Sequence, residues 1–208
     1  MMGILLTLAF IPLCAPGSQQ TQSWSLEETA THMANFYSTP TQIEFDMIQR
    51  GLESNLHELE AKGNAADTLA SVFLATVHAK HGWPIRDLGS LDDGARSIER
   101  RDGTPLSKYV DDDHAIDPGK LDIWWIEFFA TEDTQYLDKL VAQIGDVKAQ
   151  SGVNRILITG AANWSFAANC RQHPIVLRHA KHLLSLDPPL PNKKALQEVV
   201  ARAERPNG

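Results

Sequence analysis

Apolar residues recur at helical spacing through most of the chain. Leu69, Val72, Phe73 and Val77, with Thr76 among them, lie three or four apart and predict a helix over residues 65–80. Leu137, Leu140, Val141 and Ile144 form one stripe and predict a helix over residues 134–149. Residues 122–131, 154–172, 174–185 and 192–205 read the same way. Start and stop signals agree with the periodicity. Ser25-Leu-Glu-Glu28 and Thr41-Gln-Ile-Glu44 have the form of capping boxes, in which hydroxyl and carboxylate each satisfy a free amide. Asn64 suits an N-cap, and Pro84 suits the first position of a short helix reaching about Leu91. His173-Pro174 reads as a corner, with Pro174 opening the next helix and His173 placed to bond the last carbonyls of the one before. Pro188-Pro189-Leu190-Pro191 is a rigid break before the last helix. Short turns at residues 38–40, 132–133 and 173–174 favour packing between sequential neighbours. The expectation is an all-α domain of seven to nine helices in stacked antiparallel pairs, an irregular, helical-repeat-like bundle.

One segment competes with this reading. Arg155-Ile-Leu-Ile-Thr-Gly-Ala-Ala162 has the look of a first strand and turn of a dinucleotide-binding domain. Such a turn needs further glycines so that backbone can approach a pyrophosphate, and Asn163, Trp164 and Ser165 stand there instead. The chain also ends too soon afterwards for a set of βαβ units. As a helix, the segment carries Ile156, Gly160, Asn163 and Ala167 on one face and Leu157, Ala161, Trp164 and Ala168 on the adjacent one. It is therefore read as a buried helix. Gly160 and the alanines would permit close packing. Asn163 and Asn169 would tie it to neighbouring loops, because buried amides need partners.

Composition narrows the class. The 208 residues are 43% hydrophobic and 22% charged, which excludes collagen-like, low-complexity and polytopic membrane chains. Lys and Arg number 19 against 26 Asp and Glu, a net charge of −7. Such a chain repels phosphate backbones, so nucleic acid is not an expected partner. The charge is uneven along the chain. Residues 87–122 hold ten acids and five bases, while residues 170–208 hold seven bases and three acids. Residues 92–120, with Gly94, Gly103 and Pro105, show little periodicity and read as a charged loop.

The apolar run at residues 3–13 has the length of a signal-peptide core and is too short to span a bilayer, which takes about 20 residues. The expected division is a signal peptide or N-terminal anchor over residues 1–22 and a single helical domain over 23–208. The expected location is the periplasm or cell envelope. Cys14 offers a lipid anchor as the alternative, although Ile11-Pro12-Leu13 lacks the small residue that lipidation sites want. Cys170 is the other of the two cysteines. Once Cys14 leaves with the signal, Cys170 has no internal partner and is read as a small buried hydrophobe.

Four stretches carry a resemblance. They are Phe36-Tyr-Ser-Thr-Pro40, Phe73-Leu-Ala-Thr-Val-His-Ala-Lys-His-Gly-Trp-Pro84, Asp122-Ile-Trp-Trp-Ile-Glu-Phe-Phe-Ala-Thr-Glu-Asp133, and Gly160-Ala-Ala-Asn-Trp-Ser-Phe-Ala-Ala-Asn-Cys-Arg-Gln-His-Pro174. In these the chain resembles a family of uncharacterised exported bacterial proteins of helical type. The usual form of the third stretch has Gly where Glu132 stands here. The resemblance implies an all-helical fold and export, and implies no activity.

Candidate chemistry is sparse. His78 and His81 lie three apart on one predicted helical face, and Asp111-Asp-Asp-His114 would have to fold back to complete a metal site. His81-Gly82 also reads as a helix C-terminus, where a cationic ring suits the dipole. His179 and His182 repeat the spacing and read as surface residues. No Gly-x-Ser-x-Gly turn is present, and Ser165 lies inside a predicted helix. Two binding surfaces are expected instead. Asp111, Asp112 and Asp113 cannot be buried without compensating charge, so they suit a basic partner. Trp124 and Trp125, with Phe128 and Phe129 a turn on, are hard to bury together and are candidate anchors. The leading functional expectation is a non-enzymatic exported protein that mediates protein–protein interaction in the bacterial envelope, with no cofactor. Two alternatives stand beside it. One is an inhibitor or immunity-type protein that neutralises a basic toxin or hydrolase. The other is a metal-dependent hydrolase using His78, His81 and the Asp111 to His114 cluster.

Overall fold

A computed structural model describes residues 24–89, 91 and 116–205. They form nine α-helices and no strand. The helices are α1 (Leu26–Asn35), α2 (Gln42–Ser54), α3 (Leu56–Lys62), α4 (Asn64–His81), α5 (Pro118–Thr131), α6 (Gln135–Val141), α7 (Val153–Gln172), α8 (Pro174–Leu184) and α9 (Lys193–Glu204). Short 3-10 turns lie at Phe36–Ser38 and Val147–Ala149. The all-α expectation holds, and residues 155–162 are helical, not a nucleotide-binding strand. No described helix is long and apolar enough to cross a membrane.

Local chemistry explains most boundaries. At α1 the capping box is complete: Ser25 Oγ accepts from Glu28 N at 3.2 Å, and Glu28 accepts from Ser25 N at 2.8 Å. At α2 only half forms. Thr41 Oγ1 accepts from Glu44 N at 3.1 Å, while the Glu44 carboxylate turns to His32 instead, 2.5 Å from its Nδ1. Helix α4 starts at Asn64 itself, behind Gly63. It stops at Gly82, which takes the left-handed conformation that ends a helix without a Cβ clash. Helix α5 begins four residues before the predicted start, because Asp117 caps Lys120 N at 3.0 Å and Pro118 fills the first position.

Two predicted helices are corrected. Residues 84–88 are not helical. The buried Gln49 side chain takes their backbone groups, accepting from Arg86 N at 2.6 Å and donating to Pro84 O at 3.3 Å. The predicted helix over 134–149 stops at Val141. There the Asn192 amide donates to Val141 O at 2.6 Å and Ile144 O at 3.1 Å. Asn163 then pairs with both backbone groups of Gly145, at 2.8 and 3.2 Å. The expected tie from Asn163 to a loop is therefore present. Asn169 instead bonds Ser165 O within its own helix.

Two apolar clusters make the core. One joins α1 to α4 with Leu88 and Leu91, and is centred on Phe36, Phe45 and Phe73. The other joins α5 to α9 around Phe128, Leu137, Phe166 and Leu196. Helix α5 serves both: Leu121, Trp124, Trp125, Phe128 and Phe129 belong to the second cluster, while Ala130 belongs to the first and Ile126 packs against it. Helices α4 and α5 pack together, and α9 lies along α7.

Candidate functional site

Helix α7 is apolar on two adjoining faces. One face packs into the core through Ile158, Ala162, Phe166 and Cys170. The other was expected to be buried too, and the structure corrects this. Val153 is 75% exposed, Leu157 55% and Trp164 71%, with Ile156 beside them. At 100° per residue, Val153, Leu157, Gly160, Ala161, Trp164 and Ala168 fall within an arc of about 100°, and Val153 to Trp164 spans about 16 Å of helix. A Cβ placed on Gly160 meets nothing within 4 Å, so the middle of the stripe is open.

The surroundings of this face are polar but held. Arg155 donates to Gln143 Oε1 at 2.7 Å and Gln150 Oε1 at 3.3 Å. Arg171 donates to Arg202 O at 3.0 Å. Helix α7 holds no acidic residue, and its two cations are drawn off the stripe by these bonds. A hollow of about 440 Å³ opens at the start of the helix, between Ile116 and Val153. An apolar ridge of this kind is unusual on a protein surface, because scattered single residues are the ordinary case.

The expected anchors lie elsewhere. Trp124 and Trp125 are only 4% and 5% exposed. Both are core residues, which corrects their reading as a partner-binding surface. Trp125 stacks on Phe129 and meets Phe166 at 5.7 Å, and its indole N–H donates to Ser165 Oγ at 3.2 Å. All four aromatics of α5 are buried in one cluster, which α6, α7, α8 and α9 complete around them. Ser165 is thus a packing residue. Asp111, Asp112, Asp113 and His114 lie outside the described residues.

Both rings of the histidine pair meet Trp83. His78 Nδ1 bonds the carbonyl of Trp83 at 2.6 Å. The His81 ring stacks on Trp83, with centroids 4.3 Å apart. Among the described residues no group of three His, Cys, Asp or Glu side chains is placed to share a metal ion. His179 is paired with Asp138 at 2.7 Å, so its ring serves a contact between α8 and α6. Cys170 is buried as expected, and burial pushes its thiol up to about 12, far from a reactive thiolate.

One polar constellation had no signal in the spacing. His32, oriented by Glu44, stacks on Trp24 with centroids 3.6 Å apart, beside a hollow of about 390 Å³ lined by Ser25, Glu28 and Thr31. A carboxylate-oriented imidazole suits general-base chemistry. The neighbouring hydroxyl is committed to the helix cap, however: Ser25 Oγ donates to Glu28 at 2.9 Å while accepting from Glu28 N.

Among the described residues, fold and surface define a helical bundle in which an apolar face of α7 is exposed. Set against known proteins, the chain matches no family model, no curated protein and no solved structure.

Proposed function

We propose that this is an exported protein of the bacterial envelope that acts by binding another protein, and that the outer face of α7 is the binding surface. The observation that carries this reading is the exposed stripe of Val153, Leu157 and Trp164. Covering a large apolar side chain completely is worth about 1.5–3 kcal/mol. Three or four of them on one ridge go far toward the cost of association, about 4–15 kcal/mol. A ridge with an open centre at Gly160 suits an apolar helix laid across it, since a small residue lets two backbones approach. Trp164 is the expected anchor, as a large, rigid side chain that loses little conformational freedom on binding. Export follows from the apolar run at residues 3–13 and the resemblance of the four stretches above.

The test places a photo-crosslinking amino acid at position 164 of the full chain in cells, with the same probe at the exposed Glu60 as control. A discrete protein adduct at 164 and none at 60 is the expected result. A second probe at Ile156 should lose that adduct when Leu157→Ser and Trp164→Ser are introduced, with helical content unchanged. An adduct that survives both substitutions, or none at 164, overturns the reading. The N-terminus of envelope-fraction protein, read by mass spectrometry, should begin between about residues 17 and 25.

A further inference from the structure

Behind the exposed face of α7, the junction between the two halves of the core holds a buried titratable group that the binding role does not use. The 3-10 turn Phe36–Ser38 straddles the halves. Phe36 lies in the first cluster, and Tyr37 packs against Phe128 and Phe129 of α5, at 5.3 and 6.3 Å between ring centroids. His173, the corner residue between α7 and α8, meets Tyr37 there. Its ring is edge-on to the phenol at 5.6 Å and lies 5.0 Å from Phe129. Its Nδ1 is 3.2 Å from Tyr37 Oη. The side chain is 2% exposed, and Nε2 is buried with no hydrogen-bond partner among the described residues.

We propose that His173 is an acid-sensitive latch that holds the 3-10 turn of the first half against the helices of the second. A neutral imidazole fits this box. One nitrogen bonds the tyrosine hydroxyl, and the other is buried without a partner whichever of the two carries the proton. A second proton changes the balance. It puts a charge and an unaccepted N–H among aromatic rings, and each is costly to bury. Among the described residues, no carboxylate bonds the ring. The groups that meet it are the phenol of Tyr37 from the turn and the phenyl of Phe129 from α5. Farther out, Arg178 of α8 and Glu132 at the end of α5 act on Tyr37 in opposite senses.

The titration supports the geometry. Burial holds the His173 imidazole below its ordinary value of 6.5. The unfolded chain then binds the proton more readily than the folded one. The latch is fully closed above about pH 6.5, and its contribution is lost as pH falls from there toward the folded-state value. Each unit of lowering is a tenfold preference for the open form in acid. His81 is also held below its ordinary value by burial, with Lys80 adding to the effect, so it supplies a background that the test must separate.

The experiment is hydrogen exchange of the full chain at pH 7.5 and pH 5, corrected for the intrinsic pH dependence of exchange. Amides of residues 36–39 in the wild type should open several-fold more often at pH 5. In His173→Gln, which keeps a neutral polar group beside Tyr37, that acid increment should vanish while the background from His81 persists. An equal increment in wild type and variant overturns the proposal. Should the variant fail to fold, the ring of His173 in the wild type is titrated by NMR. A folded-state value at or above 6.5 then overturns the proposal. The outcome is independent of any partner bound at α7.

Discussion

Glu132 is the single non-glycine residue with a positive φ among the described residues, at 59°. It stands just past the last turn of α5, where its N–H bonds Phe128 O. A side chain in this left-handed region costs about 1–2 kcal/mol, a strain that glycine escapes. Glu132→Gly should therefore stabilise the protein by roughly 0.5–1 kcal/mol, despite the extra freedom of the unfolded chain. Urea denaturation checks this: the midpoint should rise with an unchanged slope. Cys170 and Trp125 make the complementary point at this scale. Their chemistry is suppressed by surroundings, the thiol by burial and the indole N–H by Ser165.

At the scale of elements, contact between helices decides what a residue tolerates. A Cβ on Gly51 of α2 would lie 2.2 Å from Thr29 Oγ1 of α1. Thr29 is wholly buried, and its hydroxyl is fixed on Ser25 O at 2.8 Å. The two helices meet closely because this position lacks a side chain. Gly51→Ala should cost about 1–3 kcal/mol through overpacking. The same substitution at Gly160 of α7 meets open space and should gain up to about 1 kcal/mol from helix propensity. Thermal melts of the two variants should move in opposite directions. A loss at Gly160 would mean that α7 is covered in the free protein. The stop of α6 belongs to this scale as well. Its stripe continues to Ile144 in sequence, yet Asn192 and Asn163, from α7 and the approach to α9, take the backbone groups that a longer helix would use.

Across the whole molecule, α5 is the shared wall of two cores. Phe128 is fully buried and lies against Tyr37, Trp125 and Phe129. Phe128→Ala should destabilise the protein by about 3–5 kcal/mol. Because Ala130 and Ile126 of the same helix pack against the other cluster, the halves should unfold together. Far-ultraviolet circular dichroism and tryptophan fluorescence should shift to one common, lower midpoint. Separate midpoints would show that the halves are independently stable. The same arrangement places His173 and Tyr37 where a local charge can act on the junction of both.

Much of this was legible in the chain. The class, the Ser25 box, the Gly82 stop and the corner at Pro174 all follow from short-range rules, in which a residue acts on backbone within one turn. What tertiary structure alone decided is which apolar faces meet. The pattern of α7 is apolar on both sides of the same edge, and nothing local distinguishes Phe166, inside, from Trp164, outside. The answer depends on where α5, α8 and α9 lie. The tryptophans of α5 reverse the case: their density suggested surplus at the surface, and the cluster that α5 shares with α6 to α9 absorbed them. Gln49 and Asn192 likewise act on backbone many residues away, and so they set element ends that periodicity cannot see. The His173 box is assembled from positions 37, 129 and 173. Its chemistry exists only once distant segments close over one ring, because desolvation is a property of the packed whole and not of any stretch of sequence.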